Sequence, residues 1–527
     1  MSIENLIVKD WRTIDISFGL IYPNIYKIGM SSYSIRLLYH LINSYENIVC
    51  ERMFLPEKVK FPASNDYLSE GSLRSLENKV LPKDFDILGF SLHFENDFKN
   101  ILWFLEKANI PITFHERRDL IKKENREFPL IIGGGPVITS NPISISKIFD
   151  LVFVGDAEPN LDLFFRLFQN YNDKRISFPG FLNQVKKIEG IFIPALNNST
   201  KRSVLNNLDD SPIPIYQLLS KLSTEKDIFD RNFFIEINRG CPFQCKFCIS
   251  SFHNSPFRNR SYESITETVD KAIKYSNFEK ISFIGSCVSS HPKFKQICEY
   301  IINKGIRLTL PSLRIEHITH ELIQVFESGD IKTLTIAPEA GSERLRSSLG
   351  KDISNDKIIS VVSQIKNSKI KNIKFYFLIG LPNESDKDID EIIQLIKDID
   401  KLDFEKNSLR VNINPLIPKL NTPYEKEINF YFEEKMKDLI QKYQKIEKEL
   451  KKMPSIKIKF LDYKSIVKNA RLQTLISLGD QQISDLLINH YQNGASFTAL
   501  KKAEKNLHFS FDQYLQKIKD SYSPWKI

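Results

Sequence analysis

Three cysteines fall within eight positions of this chain, in Gly240-Cys241-Pro242-Phe243-Gln244-Cys245-Lys246-Phe247-Cys248. Thiolates favour soft metals and are the usual protein ligands of iron–sulfur clusters. Three of them on one tight loop can each take one iron of a [4Fe–4S] cubane. The fourth iron then stays open to a substrate or cofactor. Zinc is the competing reading, because His253 follows closely enough to complete a Cys3His set. That reading makes the chain a zinc-stabilised nucleic-acid-binding protein and not an enzyme. Zinc motifs rarely sit at the mouth of a barrel strand, which is where this loop falls.

The loop follows an apolar run at 233–237, and similar runs recur at 280–284, 306–310, 332–336, 373–378 and 409–414. Between them lie helical spacings such as Ile265, Val269 and Ile273, or Leu322, Val325 and Phe326, the latter closed by Gly329. Six βα units predict an open, partial barrel over 227–428, since a complete eight-unit barrel needs about 250 residues. The cysteines then lie after the first strand, on the face where barrel active sites are built.

Upstream, residues 1–180 alternate buried-strand patterns (18–22, 87–91, 130–132, 151–154) with helical ones (30–42, 96–105). They predict a Rossmann-like, doubly wound sheet, a fold that binds ligands over the carboxyl ends of its strands. Residues 181–226 read as a small hairpin and linker rich in Asn, Ser, Asp and Pro. Residues 429–527 read as a helical C-terminal region. There Phe432, Met436, Leu439, Tyr443, Ile446, Leu450 and Met453 form one apolar seam, ended by Pro454 and expected to dock on the barrel. The fold class is therefore α/β, with an N-terminal Rossmann-like domain, a central partial (βα)6 barrel and a helical C-terminal region.

Composition narrows the classes. The chain has 527 residues, 42% of them hydrophobic and 26% charged, which suits a soluble globular protein of two or three domains. Its net charge of +9 is small for this length and its lysines are scattered, so nucleic acid is permitted but not demanded. No apolar run approaches the roughly 18 residues of a membrane span, and no signal-peptide pattern opens the chain. A cytoplasmic location with no membrane partner is expected. Six cysteines in so long a chain do not make a disulfide framework.

The C-x3-C-x-aromatic-C loop after a first barrel strand resembles the cluster loop of the radical S-adenosylmethionine (SAM) superfamily. The segments 257–261 (FRNRS), 310–314 (LPSLR), 337–345 (APEAGSERL) and 379–382 (IGLP) resemble one branch of it. So do 22–30 (YPNIYKIGM), 86–93 and 472–483 (LQTLISLGDQQI). That branch joins a cobalamin-binding-like N-terminal domain to a methylthiotransferase-like barrel. The resemblance implies a [4Fe–4S] cluster on Cys241, Cys245 and Cys248 whose unique iron chelates SAM. It also implies one-electron cleavage of SAM to methionine and a 5′-deoxyadenosyl radical, with an electron donor such as a flavodoxin or ferredoxin. Phe247 would lie near the adenine.

Further SAM-binding candidates stand at strand ends. Gly285 and Ser286 follow the second strand and offer a backbone N–H or hydroxyl to the SAM carboxylate. Ser312 and Arg314 follow the third. Arg314 either forks onto that carboxylate or bridges a neighbouring acid such as Glu316. Glu339 closes the fourth, placed to accept ribose hydroxyls, and Gly380 permits close backbone approach to adenine. Hydrogen abstraction or methyl transfer on an unknown substrate is the expected outcome, with tRNA methylthiolation as the rival within the enzyme class.

Two departures from the branch matter. Methylthiotransferases of this barrel type carry three further N-terminal cluster cysteines, whereas only Cys50 precedes the barrel here. No Asp-x-His-x-x-Gly motif occurs, and His93 lacks the flanking Asp and Gly. If cobalamin lies on the N-terminal sheet, near Gly133–Gly135, its cobalt is expected to have no histidine beneath it.

Overall fold

The computed structural model describes residues 3–61, 73–124, 127–217, 219–220, 231–457, 462–520 and 523–526. The chain forms two compact units. The first joins Met1–Asn206 and Asp210–Asp230 to Leu475–Ile527, and the second comprises Asn207–Asp209 with Arg231–Thr474. The expected boundary at 227 lies outside the described residues. Among the described residues, no helix is long and apolar enough to cross a membrane.

In the first unit, strands β1 (Ile16–Ile25), β2 (Ile48–Leu55), β3 (Ile87–Ser91), β4 (Leu130–Gly134), β5 (Leu151–Phe153) and β6 (Ile191–Phe192) form one sheet in the order β2-β1-β3-β4-β5-β6. The first five are parallel and β6 is antiparallel. This is the flavodoxin-like doubly wound order, whose topological switch point falls between the carboxyl ends of β1 and β3. Strand β2 is absent from the sequence reading because Glu51 and Arg52 interrupt its apolar run. Both are fully buried and paired. Arg52 Nε donates to Glu77 Oε1 at 2.8 Å, and Glu51 accepts from Trp11 Nε1 at 2.8 Å. The turn expected as a separate hairpin instead supplies the edge strand β6, held by Val154 N–H donating to Gly190 O at 2.7 Å.

The predicted C-terminal helical region is divided at Leu475. Helices Gln482–Gln492, Phe497–Asn506 and Phe511–Lys519 belong to the first unit. Asn141, which closes the short helix Pro136–Ser140 after β4, donates its amide to Gly479 O at 2.8 Å and to Ser477 O at 3.2 Å. Ser477 Oγ donates to Glu95 Oε1 at 3.0 Å, just beyond β3. The segment thus walls one side of the carboxyl end of the sheet.

In the second unit, β7 (Asn232–Glu236), β8 (Lys280–Ile284) and β9 (Arg307–Thr309) form one parallel sheet in the order β9-β8-β7. Strands β10 (Thr333–Glu339), β11 (Asn372–Ile379), β12 (Leu409–Pro415) and β13 (Ile456–Lys457) form another, and a parallel bridge between Leu313 and Ile336 links the two. All six expected strands are present, and the two-residue β13 extends the sheet. Side chains alternate along β11: Ile373, Phe375, Phe377 and Ile379 are fully buried, while Lys374, Tyr376 and Leu378 take the other face. Helices Tyr262–Tyr275, Phe294–Asn303, His320–Ser328, Asn355–Lys366 and Asp386–Asp400 follow successive strands. Ser261, Thr319 and Ser354 cap three of them by accepting a backbone N–H. The seam helix, Met436–Leu450, buries Leu439, Tyr443, Ile446 and Leu450 and docks on this unit, as its periodicity predicts.

One glycine controls how the fourth strand meets the helix after the fifth. A Cβ on Gly341 would lie 2.1 Å from Ile392 N, a backbone atom inside helix Asp386–Asp400 that cannot step aside. Gly341→Ala is expected to destabilise the second unit by about 3 kcal/mol, the upper part of the range for overpacking. Urea denaturation read at this unit should show a lowered midpoint with little change in slope.

Candidate active site

The cysteine loop leaves β7 through a short antiparallel ribbon, Asn238–Arg239 against Arg258–Asn259. Gly240 follows at φ +78°, where a Cβ would lie 2.4 Å from Asn254 O, so only glycine turns the chain here. Arg239 and Glu236 form a forked ion pair with both contacts at 2.9 Å, and buried Arg260 donates to Glu236 O at 3.0 Å. Within the loop, Cys248 N–H donates to Cys245 O at 2.9 Å and starts helix Ile249–Phe252.

A second turn supports the loop from outside. Lys246 N–H donates to Leu349 O at 3.0 Å. Gly350, at φ +83°, brings its backbone so close that a Cβ would sit 3.0 Å from Gln244 O. Cys245 Sγ lies 4.0 Å from Gly350 O. The next residue, Lys351, donates to Glu339 Oε1 at 2.8 Å and to Ala337 O at 2.9 Å. Arg346 fixes the turn's other end, donating to the carbonyls of Ala340, Gly341 and Ile353 at 2.8–2.9 Å.

One cleft is lined by Cys241, Cys245 and Cys248 together with Phe247, Ser286, Ser312, Arg314 and Glu339. Phe247 packs on the cluster of Ala340, Leu345, Leu349 and Leu381. Glu339 is reached through a register shift in β10 and has φ +70°. Arg314 is already engaged: it is ion-paired with Glu316, lies 3.6 Å over the ring of Phe243, and places Nη1 3.9 Å from Cys245 Sγ. Burial raises the Cys245 thiol, while Lys351 and Arg314 act in the opposite direction.

Two expected residues fall outside the lining. Gly285 packs its backbone against Asn238, whose Oδ1 would be 2.3 Å from an added Cβ, so close strand packing explains this glycine. Gly380 lies beside Leu439 and Phe430 in a separate depression, its N–H given to Glu384 Oε1 at 3.0 Å. Lys351 also lines the cleft and has no role in the sequence reading, because a single lysine after a helix has no pattern. Cys287 lines the cleft too, as its place close to the end of the second strand suggests, and hydrogen bonds, first that with Cys241, lower its thiol's pKa against the effect of burial.

The zinc reading is not met. His253 is buried, and its Nε2 is 2.7 Å from Leu420 O, with no place in the cysteine-lined cleft. Cys50 and Cys298 are fully buried with thiols raised by that burial, Cys50 within β2 and Cys298 within helix Phe294–Asn303. In the first unit, His93 stands just past β3. Its Nε2 lies 3.0 Å from both Ser34 Oγ and Ser91 Oγ, its ring faces Tyr22 at 5.3 Å, and burial lowers its pKa to about 4.

Two family models match the chain: "Radical SAM proteins, N-terminal" over residues 34–194, and "Radical SAM superfamily" over residues 235–396. An uncharacterized protein of Methanocaldococcus jannaschii is 28% identical over 96% of this chain and 97% of its own length. A putative methylthiotransferase of the same organism is 25% identical over 65% of this chain and 70% of its own. Among solved structures, the radical SAM methyltransferase TsrM of Kitasatospora setae superposes with a TM-score of 0.56 at 12% identity, covering 79% of this chain and 76% of that one. The cobalamin-dependent radical enzyme OxsB superposes with a TM-score of 0.55 at 12% identity, covering 95% and 78%. These two likenesses are of fold.

The Lys351–Glu339 pair yields a direct check of the cleft. Lys351→Met leaves a mostly buried carboxylate without its cation and should cost about 2 kcal/mol of stability, typical of a charge-assisted hydrogen bond. Lys351→Arg should restore most of it. Equal urea midpoints for wild type and Lys351→Met would show that the pair holds nothing in place.

Proposed function

Because the chain belongs to the radical SAM superfamily, and is an enzyme that works with a [4Fe–4S] cluster and SAM, we propose that Cys241, Cys245 and Cys248 are the cluster ligands. The observation that carries this is their convergence on one cleft with Phe247, Ser286, Ser312, Arg314 and Glu339. The donor set fits the group: three soft thiols are offered, with the cations of Arg314 and Lys351 close to the most buried of them. When bound, the cluster supplies the electron that splits SAM into methionine and a 5′-deoxyadenosyl radical, which starts hydrogen abstraction or methyl transfer on the substrate.

The chain's own residues prepare that step. Glu339, steered by Lys351, presents its carboxylate to ribose hydroxyls. Phe247 offers an apolar face to the adenine, and Ser286 and Ser312 offer hydroxyls to the amino-acid end of SAM. Arg314 acts here as a fixed charge beside Cys245, because its fork is already given to Glu316. An electron donor of the flavodoxin or ferredoxin class completes the system.

Replacing all three loop cysteines with alanine should abolish the iron content of anaerobically reconstituted protein, about four irons per chain in wild type. It should equally abolish 5′-deoxyadenosine formation. Full cluster content in the triple variant would overturn the assignment. Glu339→Ala should weaken SAM binding roughly 10- to 100-fold, the equivalent of about 1–3 kcal/mol for a hydrogen bond to a charge. Unchanged affinity would remove Glu339 from the site and leave the cysteines standing.

A second reading concerns cobalamin, which is bound in solved structures of both TsrM and OxsB. The flavodoxin-like strand order of the first unit supports it, and so does the open backbone at Gly134, where an added Cβ meets only Phe153 at 3.9 Å. His93 is unsuited to ligate cobalt, since both serines claim its Nε2. Equilibrium dialysis with hydroxocobalamin should therefore show binding, and electron paramagnetic resonance of the cob(II)alamin form should lack nitrogen superhyperfine splitting. Splitting from a histidine nitrogen would contradict this. A methylthiotransferase reading is less favoured, because the lone upstream cysteine, Cys50, is sealed inside β2.

A further inference from the structure

We propose that the interior wall of the partial barrel binds a phosphoryl group of the substrate on a row of three cations, Lys374, Arg410 and Lys457. This inference rests on the radical SAM reading above and gives its substrate a chemical class. Lys374 is in register with Arg410 across β11 and β12, and Arg410 with Lys457 across β12 and β13. Registered neighbours in a sheet stand about 4.8 Å apart and point to the same face. That face is the interior one, since the alternate residues Ile373, Phe375, Leu409, Val411 and Ile456 are the buried ones. Arg410 and Lys457 are exposed and Lys374 is half-buried.

Like charges placed side by side across strands repel. By contrast, Arg307 at the start of β9 is matched by Glu279 at 2.9 Å, and Lys351 in the cleft is matched by Glu339. Among the described residues, none of the three cations in the row has an ion-pair partner. A row of this kind is completed by a polyanion. A phosphate monoester, with nearly two negative charges at neutral pH, answers three cations better than a single carboxylate does. Its oxygens also suit the fork of Arg410.

The wall above the row fits the same occupant. Tyr376, 37% exposed, is in register with Asn412 one step higher, and Leu378 with Asn414 above that. An exposed ring beside amides can stack a planar base and bond its edges. The wall also leads to the cysteine cleft. Thr335 is in register with Lys374, and Ala337 and Glu339, both lining that cleft, lie two and four residues beyond Thr335. Along the regular β11, the partner of Glu339 is Phe377, three residues beyond Lys374, so at about 3.3 Å per residue an anchored substrate places its reacting carbon about 7–10 Å from the phosphorus.

The test uses full-length, cluster-reconstituted protein and three probes: inorganic phosphate, a 5′-mononucleotide and a short single-stranded oligoribonucleotide. Binding is measured by calorimetry at low and moderate salt. Wild type and the outer-surface variant Lys387→Ala should bind alike, and Lys374→Ala/Arg410→Ala should bind at least tenfold more weakly, with a shallower salt dependence. Arg410→Lys should fall between wild type and Arg410→Ala. The probe bound most tightly identifies the source of the phosphate as free nucleotide or RNA. Wild-type affinity in the double variant, or no binding of any probe to wild type, overturns the proposal. Formation of 5′-deoxyadenosine by wild type, assayed without any probe, tests the underlying enzyme reading separately.

Discussion

The site depends on one backbone clasp, the hydrogen bond from Lys246 to Leu349 with Gly350 folded beneath Gln244. A loop that must leave three sulfur atoms facing a cleft cannot also bury those side chains in a core of its own. Its shape has to be imposed from outside, by backbone groups that approach closely and do not move. Gly350 permits the approach because it has no Cβ and tolerates its positive φ. Arg346 prevents the movement, because its guanidinium ties three carbonyls around the turn at once. The same turn carries Lys351 and thereby aims Glu339. The loop after the first barrel strand and the carboxylate after the fourth are thus set by a single element.

Charge in this cleft is arranged in pairs. Arg314 is matched by Glu316 and Lys351 by Glu339, and each cation also reaches toward Cys245. An iron–sulfur cluster's potential responds to nearby charge, hydrogen bonds and solvent exposure. Pairing keeps these cations in place without a strong net field from either of them. The interior row of Lys374, Arg410 and Lys457 is built on the opposite plan, with its charge left uncompensated. The two arrangements would suit two tasks: the paired one the cluster proposed for the cleft, whose electronics must be steady, and the unpaired one the phosphoryl group proposed for the wall.

Much of this was legible in the sequence, for identifiable reasons. Parallel strands buried on the helix side read as apolar runs, and all six barrel strands stand where those runs lie. The cysteine spacing pointed to one cleft, and Phe247, Ser286, Ser312, Arg314 and Glu339 line that cleft with the three cysteines. What stayed hidden required partners distant in sequence. Strand β2 looks polar until Glu77, Trp11 and Asn78 are known to meet Glu51 and Arg52. Gly380-Leu381-Pro382 reads the same whether a turn faces a cofactor or Leu439. Amphipathic spacing beyond residue 475 signals a buried face without saying what buries it, so its union with the N-terminal sheet was not readable.

The carboxyl end of that sheet shows how far strand order alone can specify a ligand site. The order β2-β1-β3-β4-β5 opens a crevice between β1 and β3, and His93 stands beside it where a metal-ligating histidine would be convenient. Yet the crevice consumes that histidine internally. Two serine hydroxyls hold Nε2, Tyr22 covers the ring, and burial keeps it neutral at physiological pH because its pKa lies near 4. Recruiting the imidazole to a metal would break both hydrogen bonds and uncover the ring. One wall of this end comes from the segment Leu475–Gly479, clamped by Asn141 and Glu95. A metal-bearing ligand over these strand ends would therefore have to do without Nε2 of His93 and rest on the backbone and the preformed rim instead.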